Sequence, residues 1–249
     1  MLEHQIITGI IPARYASSRF PGKPLAMLGD KPMVQWVYEG CKDSFDHIAV
    51  ATDDRRIADA VEQFGGRCIM TSPDHRTGTE RCLEAVQQLD QLQGIQSDIV
   101  VNIQGDEPFI RPEQIRELLG CFESEGVEIG TLFRELSPGE NPGDPNIVKV
   151  VSDHTGRALY FSRSPIPYFR DGQQPGPAHY MKHIGLYAFR KSTLEKICQP
   201  APSTLEQAES LEQLRWLENG FSIHTRPTAY ISMGVDTPGD LERLREHIS

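Results

Sequence analysis

Strand and helix patterns alternate along the first half of this 249-residue chain. The short apolar runs IITGII, HIAVAT, RCIMT and DIVVNI are typical of buried strands, and each is followed by a segment with helical periodicity. Such alternation predicts a mostly parallel sheet with right-handed crossovers and helices on both faces. Ligands of such sheets bind beyond the carboxyl ends of the strands. The sequence therefore predicts an α/β, Rossmann-like fold with its site at one sheet edge.

The second half of the chain has a different pattern with longer connections. NIVKVV, RALYFS and HIGLYAF are typical of strands, and proline-rich segments join them. Residues 111–126 and 203–220 each show helical periodicity, and Thr237, followed by proline, marks the start of a last helix. We expect one domain over residues 1–249, with an inserted mixed-sheet subregion at about 138–190.

A loop rich in positive charge follows the first predicted strand. The stretch IIPARYASSRFPGKPL carries Arg14, Arg19 and Lys23, and no acid occurs between Glu3 and Asp30, although the chain has 35 acids. Arginine can grip phosphate oxygens with two parallel hydrogen bonds, and lysine adds a compact charge. From charge alone, a triphosphate-binding loop and a solvated loop fit equally well. The loop has neither a Walker A pattern nor G-x-G-x-x-G, which disfavours a dinucleotide-dependent dehydrogenase.

Two aspartates lie at predicted strand-to-helix junctions. Asp106 follows the fourth strand in QGDEP, and Asp236 lies 130 residues later in GVDTP. Mg²⁺ usually takes one or two carboxylates and completes its octahedron with water and substrate phosphates. Taken alone, Asp106 reads better as part of a turn. A metal site requires that the two aspartates meet in the fold.

The segment TGTER, which begins at Thr77, opens a predicted helix. The free N–H groups of a helix N-terminus can bind an anion or the edge of a base. Plain capping of the helix by Thr77 explains the same sequence. The two interpretations are compatible with each other.

Polar residues of the second half could serve a carboxylated polyol. They are Arg163, His183, Tyr187, Glu209, Glu212 and Gln213. His183 and Tyr187 are four residues apart on one predicted strand and therefore project from one face. The last three have the spacing of one helical face within 203–220, for which a solvated surface is the plain alternative.

The overall composition narrows the class of protein. A net charge of −10 argues against general binding to nucleic acid or to an anionic membrane. No apolar run approaches the ~20 residues of a membrane-spanning helix, and the N-terminus lacks the pattern of a signal peptide. The five cysteines form no C-x-x-C pair, so neither a zinc ribbon nor a redox motif is indicated. We expect a cytoplasmic protein.

A set of motifs, taken together, closely resembles the 3-deoxy-manno-octulosonate cytidylyltransferases, also called CMP-Kdo synthetases. In the family's order, these motifs are IIPARYASSRFPGKPL, VATDD, TGTER, NIQGDEP, NIVKVV, ALYFSRSPIP, HIGLY, LEQLRWL and GVDTPGDLERLR. One mild departure is Thr77, where the family more often has serine. The resemblance implies a fold of nucleotide-diphospho-sugar transferase type. It also implies a Mg²⁺-dependent homodimer, with the mixed-sheet subregion at the interface, that transfers CMP from CTP to Kdo in lipopolysaccharide biosynthesis.

The same resemblance implies a role for each site residue. Arg14, Arg19 and Lys23 would hold the CTP phosphates, Asp106 and Asp236 would hold Mg²⁺, and catalysis would depend on Arg14, Lys23 and both aspartates. The nucleotide site would be completed by Pro12, Ala13, Thr77, Gly78, Thr79, Arg81 and Gln104. The Kdo pocket would be formed by Gln104, Arg163, His183, Tyr187, Glu212 and Gln213.

Two alternatives stay open from the sequence. The same chemistry could act on 8-amino-Kdo or on another sugar acid, because a hydroxyl and an amine present similar polar edges. A non-catalytic nucleotide-binding module could keep the basic loop without turnover, although the retention of Asp106 and Asp236 weighs against it.

Overall fold

The computed structural model describes residues 4–16, 20–170, 179–231 and 233–246. The strands in this part of the chain are β1 (Ile7–Ala13), β2 (Met27–Leu28), β3 (Lys31–Pro32), β4 (His47–Thr52), β5 (Cys68–Met70), β6 (Ile99–Asn102), β7 (Ile129–Glu135), β8 (Lys149–Ser152), β9 (Ala158–Ser162), β10 (Met181–Arg190) and β11 (Ile223–Pro227). The α-helices are α1 (Met33–Cys41), α2 (Arg55–Gln63), α3 (Gly78–Gln93), α4 (Pro112–Leu119), α5 (Lys191–Ile197), α6 (Thr204–Glu209), α7 (Glu212–Glu218) and α8 (Pro238–Arg245).

The described residues divide into two compact units. The first unit contains residues 4–116 and 231–246, and the second contains residues 117–230. The described part of the predicted subregion at 138–190 lies within the second unit. In both units, the described helices are too short or too polar to cross a bilayer.

The first unit is built on four parallel strands in the order β6-β1-β4-β5. Every residue of β6 is buried, as its continuous apolar sequence predicts. Helices α1, α2 and α3 flank these strands. On the inner side of α3, Val86 and Leu89 are fully buried, and each contributes about 1.5–3 kcal/mol through removal of apolar surface from water. The mostly parallel sheet flanked by helices is therefore confirmed.

Two helix starts in the first unit agree with the sequence. The Thr77 hydroxyl accepts a hydrogen bond from the Glu80 N–H at 3.2 Å and caps α3. Thr237 and Asp240 form a reciprocal capping box at the start of α8. These caps satisfy N–H groups that the first helical turn leaves free. They also fix the places where α3 and α8 begin, and thus the positions of Gly78 and Asp236.

The second unit contains a mixed sheet, as predicted. Strand β11 pairs with β7 in parallel, whereas β7, β10, β8 and β9 pair successively in antiparallel fashion. Strand β7 has no counterpart among the predicted strands, because Gly130 interrupts its apolar run. A Cβ at Gly130 would lie 3.0 Å from the Cβ of Cys121, so close packing accounts for the glycine.

The predicted helix over 203–220 is wrong as a single element. Helix α6 ends at Glu209 and α7 begins at Glu212. Ser210 lies between them with a φ of +51°, in the left-handed region that ends a helix. Glu209 therefore does not share a helical face with Glu212 and Gln213.

The predicted helix over 111–126 is also too long. Its α-helical part ends at Leu119, and Gly120–Glu123 forms a 3-10 turn. Glycine is a poor helix former because it loses much backbone freedom. A Cβ at Gly120 would lie 2.1 Å from Arg226 Nη1, so a larger residue there would displace the Arg226 guanidinium.

Candidate active site

A cavity of about 370 Å³ opens at the carboxyl edge of the parallel strands in the first unit. Strands β1 and β6 pair in parallel with Ile10 opposite Asn102, so the loops that follow them leave from the same edge. The residues lining the cavity are Pro12, Ala13, Arg14, Ala16, Lys23, Pro24, Gly78, Gln104, Gly105 and Asp106. The basic loop and the QGDEP segment therefore lie at one edge of the sheet, which is where the fold class predicts the site.

Glycine allows close approach of the backbone at this cavity. A Cβ at Gly105 would lie 2.9 Å from the Pro12 carbonyl oxygen, and one at Gly78 would lie 3.3 Å from Pro12 Cγ. Three lining residues were not predicted from the sequence: Ala16, Pro24 and Gly105. The signal for Gly105 was available, because glycine directly before a candidate ligand often marks close backbone packing.

In the first unit, Lys23 lies next to both candidate metal aspartates, Asp106 and Asp236. Its Nζ donates to Asp106 Oδ2 at 2.6 Å and to the Val235 carbonyl at 2.9 Å. Asp236 Oδ1 lies 3.9 Å from the same nitrogen. The side chain of Lys23 is 15% exposed, against 30% for Asp106 and 50% for Asp236. The two aspartates therefore meet around one cation, as a metal site requires.

The donor set around Lys23 fits a Mg²⁺ ion whose remaining ligands come from substrate. No cluster of three or more histidine, cysteine, aspartate or glutamate residues suited to a metal occurs in the described parts of the chain. Two carboxylates are the number that Mg²⁺ commonly takes from protein when phosphates and water complete its octahedron. Asp106 and Asp236 are thus suited to a metal that arrives with a nucleotide, and Lys23 balances their charge in its place.

Arg14 lines the cavity and is held by the loop before α3. Its Nη2 donates to the carbonyl oxygen of His75. The imidazole of His75 is in turn hydrogen-bonded to the Glu84 carboxylate on α3. Arg14 is half-buried, so part of its guanidinium remains open to the cavity. Arg19, the third predicted phosphate contact, lies outside the described residues.

The residues of TGTER differ in their access to the cavity. Gly78 lines it, whereas Thr79 and Arg81 are buried. Arg81 donates to the Thr71 hydroxyl and lies 3.4 Å from an oxygen of Asp53. Burial lowers the pKa of the Arg81 guanidinium, although Asp53 opposes that shift. A direct contact between Arg81 and a nucleotide therefore stays a prediction.

In the second unit, His183 and Tyr187 lie in a buried aromatic cluster. Their ring centroids are 5.3 Å apart, and the rings of Phe161 and Trp216 pack against them. Burial lowers the pKa of His183 to about 3, so the imidazole is neutral near pH 7. Burial, and then the charge of Glu212, raises the pKa of Tyr187 well above its usual range. The Tyr187 hydroxyl has no hydrogen-bond partner among the described residues.

The hydrogen bonds of Thr131 define the tautomer of His183. The Thr131 hydroxyl lies 3.1 and 2.9 Å from the carbonyl oxygens of Ile184 and Leu186, which can only accept. Its single proton is therefore donated to these carbonyls, and the His183 Nε2 at 3.0 Å must be the donor to Thr131. The neutral ring keeps Nδ1 as an acceptor.

Arg163 is anchored by backbone carbonyls. Its Nε donates to Glu209 O at 2.6 Å, Nη1 to Pro145 O at 2.7 Å and Nη2 to Ser210 O at 3.2 Å. These bonds use three of the five guanidinium N–H donors and leave two. The Glu209 carboxylate accepts from the backbone N–H of Arg163 at 2.9 Å and from the Ser162 hydroxyl at 2.6 Å. Glu209 thus supports Arg163 directly.

The start of α7 carries the last two predicted sugar contacts. Glu212 Oε1 accepts from Arg215 Nη2 at 2.7 Å, and its negative charge adds to the effect of burial in raising the pKa of Tyr187. Gln213 is buried. The second unit therefore contains a neutral histidine, a tyrosine hydroxyl, a carboxylate and a buried amide. Three backbone carbonyls hold its candidate arginine, Arg163.

The fold and the cavity define a class of protein. A parallel α/β sheet whose strand ends carry an arginine, a lysine and two converging aspartates has the charges of a nucleotide-binding, phosphoryl-transferring protein. Comparison with known proteins identifies the family within that class. The family model described as cytidylyltransferase matches residues 8–223. The chain therefore belongs to the cytidylyltransferase family.

Individual relatives agree with this assignment. The chain is 51% identical to the 3-deoxy-manno-octulosonate cytidylyltransferase of Parabacteroides distasonis over 94% of this chain and 95% of the relative. It is 47% identical to that of Geobacter metallireducens, with 98% of each chain covered.

Two solved structures share the fold of this chain. One described as CMP:2-keto-3-deoxy-manno-octonic acid synthetase complexed with CTP has a TM-score of 0.88 and 43% identity, with 98% of each chain covered. A cytidylyltransferase from Leptospira borgpetersenii shares the fold at a TM-score of 0.62 and 18% identity, over 98% of this chain and 87% of its own.

Proposed function

We propose that this chain transfers CMP from CTP to 3-deoxy-manno-octulosonate (Kdo) and releases pyrophosphate, as a cytoplasmic step of lipopolysaccharide biosynthesis. The observation that carries the proposal is the cavity where Lys23 meets Asp106 and Asp236. It occurs in a chain about half identical to relatives named for that activity. The net charge of −10 argues for small-molecule substrates and against nucleic acid.

The reaction is a nucleotidyl transfer by in-line substitution. The anomeric hydroxyl of Kdo gives up its proton to water as its oxygen forms a bond to the α-phosphorus of CTP. The bond from that phosphorus to the β-bridging oxygen breaks, and pyrophosphate leaves with the electron pair. Arg14 and Lys23 bind the phosphates and neutralise charge that grows on the leaving group. Arg19 would add a third cation. Positioning and charge neutralisation account for most of the rate enhancement, because this substitution needs little covalent chemistry from protein.

Asp106 and Asp236 are the proposed ligands of Mg²⁺. When bound, the ion would supply charge neutralisation at the phosphates and would lower the pKa of the attacking hydroxyl. Lys23 is placed to exchange its contact with Asp106 for a phosphate oxygen as nucleotide enters. Its second acceptor, the Val235 carbonyl, holds the ammonium group near the cavity during that exchange.

The nucleoside and the sugar use different residues. Pro12, Ala13, Gln104 and the TGTER segment (Thr77, Gly78, Thr79 and Arg81) would serve the nucleoside. For Kdo, Arg163 would offer its two remaining N–H donors to the carboxylate, and His183 Nδ1 would accept from a sugar hydroxyl. Tyr187, Glu212, Gln213 and Gln104 would bind the other hydroxyls. The desolvated Tyr187 hydroxyl lacks a partner among the described residues, and a sugar hydroxyl would supply one.

We further propose that the whole chain acts as one nucleotidyltransferase domain and assembles as a homodimer through the mixed-sheet region. Light scattering after size-exclusion chromatography measures the assembly state, and a mass near 56 kDa is expected from a chain of 28.0 kDa. A mass of one chain at micromolar concentration would contradict the dimer.

Pyrophosphate release tests the proposed reaction. The purified chain is incubated with Mg²⁺, one of CTP, UTP or ATP, and one of Kdo, 8-amino-Kdo or a sialic acid. We expect rapid release only with CTP and Kdo together, and slow release with CTP alone. A preference for 8-amino-Kdo would change the assigned sugar, and CTP binding without release from any pair would favour a non-catalytic module.

A further inference from the structure

The carboxylate of Glu84 organises the loop between β5 and α3. Its Oε2 accepts from the Ser72 N–H at 2.9 Å and bonds the Nε2 of His75. Its Oε1 accepts from Gln88 Nε2 at 2.8 Å. One side chain thus joins the first and the fourth residue of the segment 72–75 to helix α3. These bonds lower the pKa of Glu84, so the carboxylate is ionised near pH 7.

The same segment carries the acceptor for Arg14. The His75 carbonyl receives the Arg14 Nη2 donor, while the His75 ring is bonded to Glu84. Because ring and carbonyl belong to one residue, fixing the ring restricts where the carbonyl points. Arg14 has a long, flexible side chain, and such a side chain loses rotamer entropy when it is held in one geometry. A guanidinium already held before ligand binding avoids part of that loss.

We infer that Glu84 is a positioning residue that holds Arg14 in place for the CTP phosphates through the loop 72–75. The inference rests on the proposed role of Arg14 in CTP binding. Glu84 does not line the cavity and need not touch the nucleotide. The charges of Asp53, Arg14 and Glu84 also act on the pKa of the buried Arg81 guanidinium. Removal of the negative charge by itself would strengthen attraction for a triphosphate, so charge and geometry predict opposite effects on affinity.

A double-mutant cycle tests whether Glu84 acts through Arg14. CTP affinity is measured by titration calorimetry for the native chain and for Glu84→Met, Arg14→Ala and the double variant. Two further variants serve as controls. Glu84→Gln removes the charge but keeps an acceptor for the Ser72 N–H and a donor for the His75 ring, and Gln87→Ala changes an exposed residue of the same helix. Melting curves verify folding, and Glu84→Ala replaces Glu84→Met if the latter does not fold.

We expect Glu84→Met to weaken CTP binding about tenfold, Glu84→Gln to remain within about threefold, and the double variant to bind no more weakly than Arg14→Ala. Native-like affinity in Glu84→Met, tighter binding in both Glu84 variants, or simple additivity in the double variant would overturn the inference. An Arg14→Ala variant with native affinity would instead remove the proposed role of Arg14 itself.

Discussion

The two units hold their polar residues in opposite ways. In the first unit, Lys23, Asp106 and Asp236 remain partly open to water, and their contacts are ionic. In the second unit, His183 and Tyr187 are buried among aromatic rings, and the histidine is neutral near pH 7. Solvated ion pairs exchange partners at low cost, whereas buried polar groups depend on satisfied hydrogen bonds.

This difference indicates two modes of recognition. The first unit is suited to a highly charged ligand that brings its own cation and replaces one set of ionic contacts with another. The buried His183 and Tyr187 of the second unit are suited to the hydroxyl groups of a sugar, which would complete their hydrogen bonds in a desolvated place. Variants of the first unit should therefore affect turnover and charge, and variants of the second should affect sugar affinity and stability.

The largest expected effect comes from Asp106→Asn. Loss of this carboxylate removes a proposed metal ligand, and we expect turnover to fall about 1,000-fold or more. The melting temperature should change little, because the side chain is partly exposed. Steady-state kinetics with pyrophosphate detection measure the change, with the exposed Asp43→Asn as a control. Retention of most of the activity would remove the assigned role of Asp106.

Lys23→Met should have the next largest effect. Removing the ammonium group takes away charge-assisted contacts to phosphate, and we expect kcat/KM for CTP to fall about 100-fold. The matched control is Lys31→Met, because Lys31 forms an exposed pair with Glu39 and should change kcat/KM less than about twofold. Equal losses in the two variants would mean that Lys23 acts through general charge.

The buried histidine predicts a pH dependence of stability. The pKa of His183 is about 3 in the folded chain, against 6.5 for an ordinary histidine. The unfolded chain binds more protons between these values, so stability falls as the pH drops through this range. From pH 7 to pH 5, this one group should cost about 2 kcal/mol.

Denaturant unfolding at the two pH values measures that cost. His183→Asn should show a smaller loss of stability on acidification than the native chain, because the variant lacks the buried imidazole while all other titratable groups are common to both chains. Identical slopes in the two chains would contradict a buried, neutral His183.

The smallest expected effect is that of Tyr187→Phe. Its hydroxyl has no partner among the described residues, so its removal should leave stability unchanged or slightly higher. If that hydroxyl binds Kdo, KM for Kdo should rise about tenfold at an unchanged KM for CTP, as expected for one lost hydrogen bond. Steady-state kinetics with each substrate varied in turn separate the two constants. A loss of stability with a native KM would make the hydroxyl structural.

Local sequence patterns predicted the first unit well. Apolar runs, each followed by a segment with helical periodicity, located β1, β4, β5 and β6, because each of these elements carries its own periodicity. The approach of Asp106 and Asp236 could be stated only as a condition, since 130 residues separate them. Their meeting depends on tertiary structure, in particular on the bond from Val235 N–H to the Asp106 carbonyl.

The secondary structure of the second unit was harder to predict from the sequence, because it depends on contacts between distant residues. Ser210 interrupts the predicted helix in a left-handed conformation that a serine in the sequence does not predict. Gly130 lies within β7 and weakens the strand pattern of that segment. Burial is a second reason: Arg81, predicted as part of the nucleotide site, is buried and donates to the Thr71 hydroxyl. Charge patterns identify candidate ligands, whereas their accessibility depends on packing that a single sequence does not show.

Phosphorus NMR of the complete reaction tests the central claim most directly. The chain is mixed with CTP, Mg²⁺ and Kdo, and the spectrum is followed with time. We predict that the CTP signals are replaced in equal amounts by pyrophosphate and a single phosphodiester that joins CMP to the sugar. Stable CTP, or conversion to free CMP and pyrophosphate without the phosphodiester, would contradict the proposal that this chain transfers CMP to Kdo.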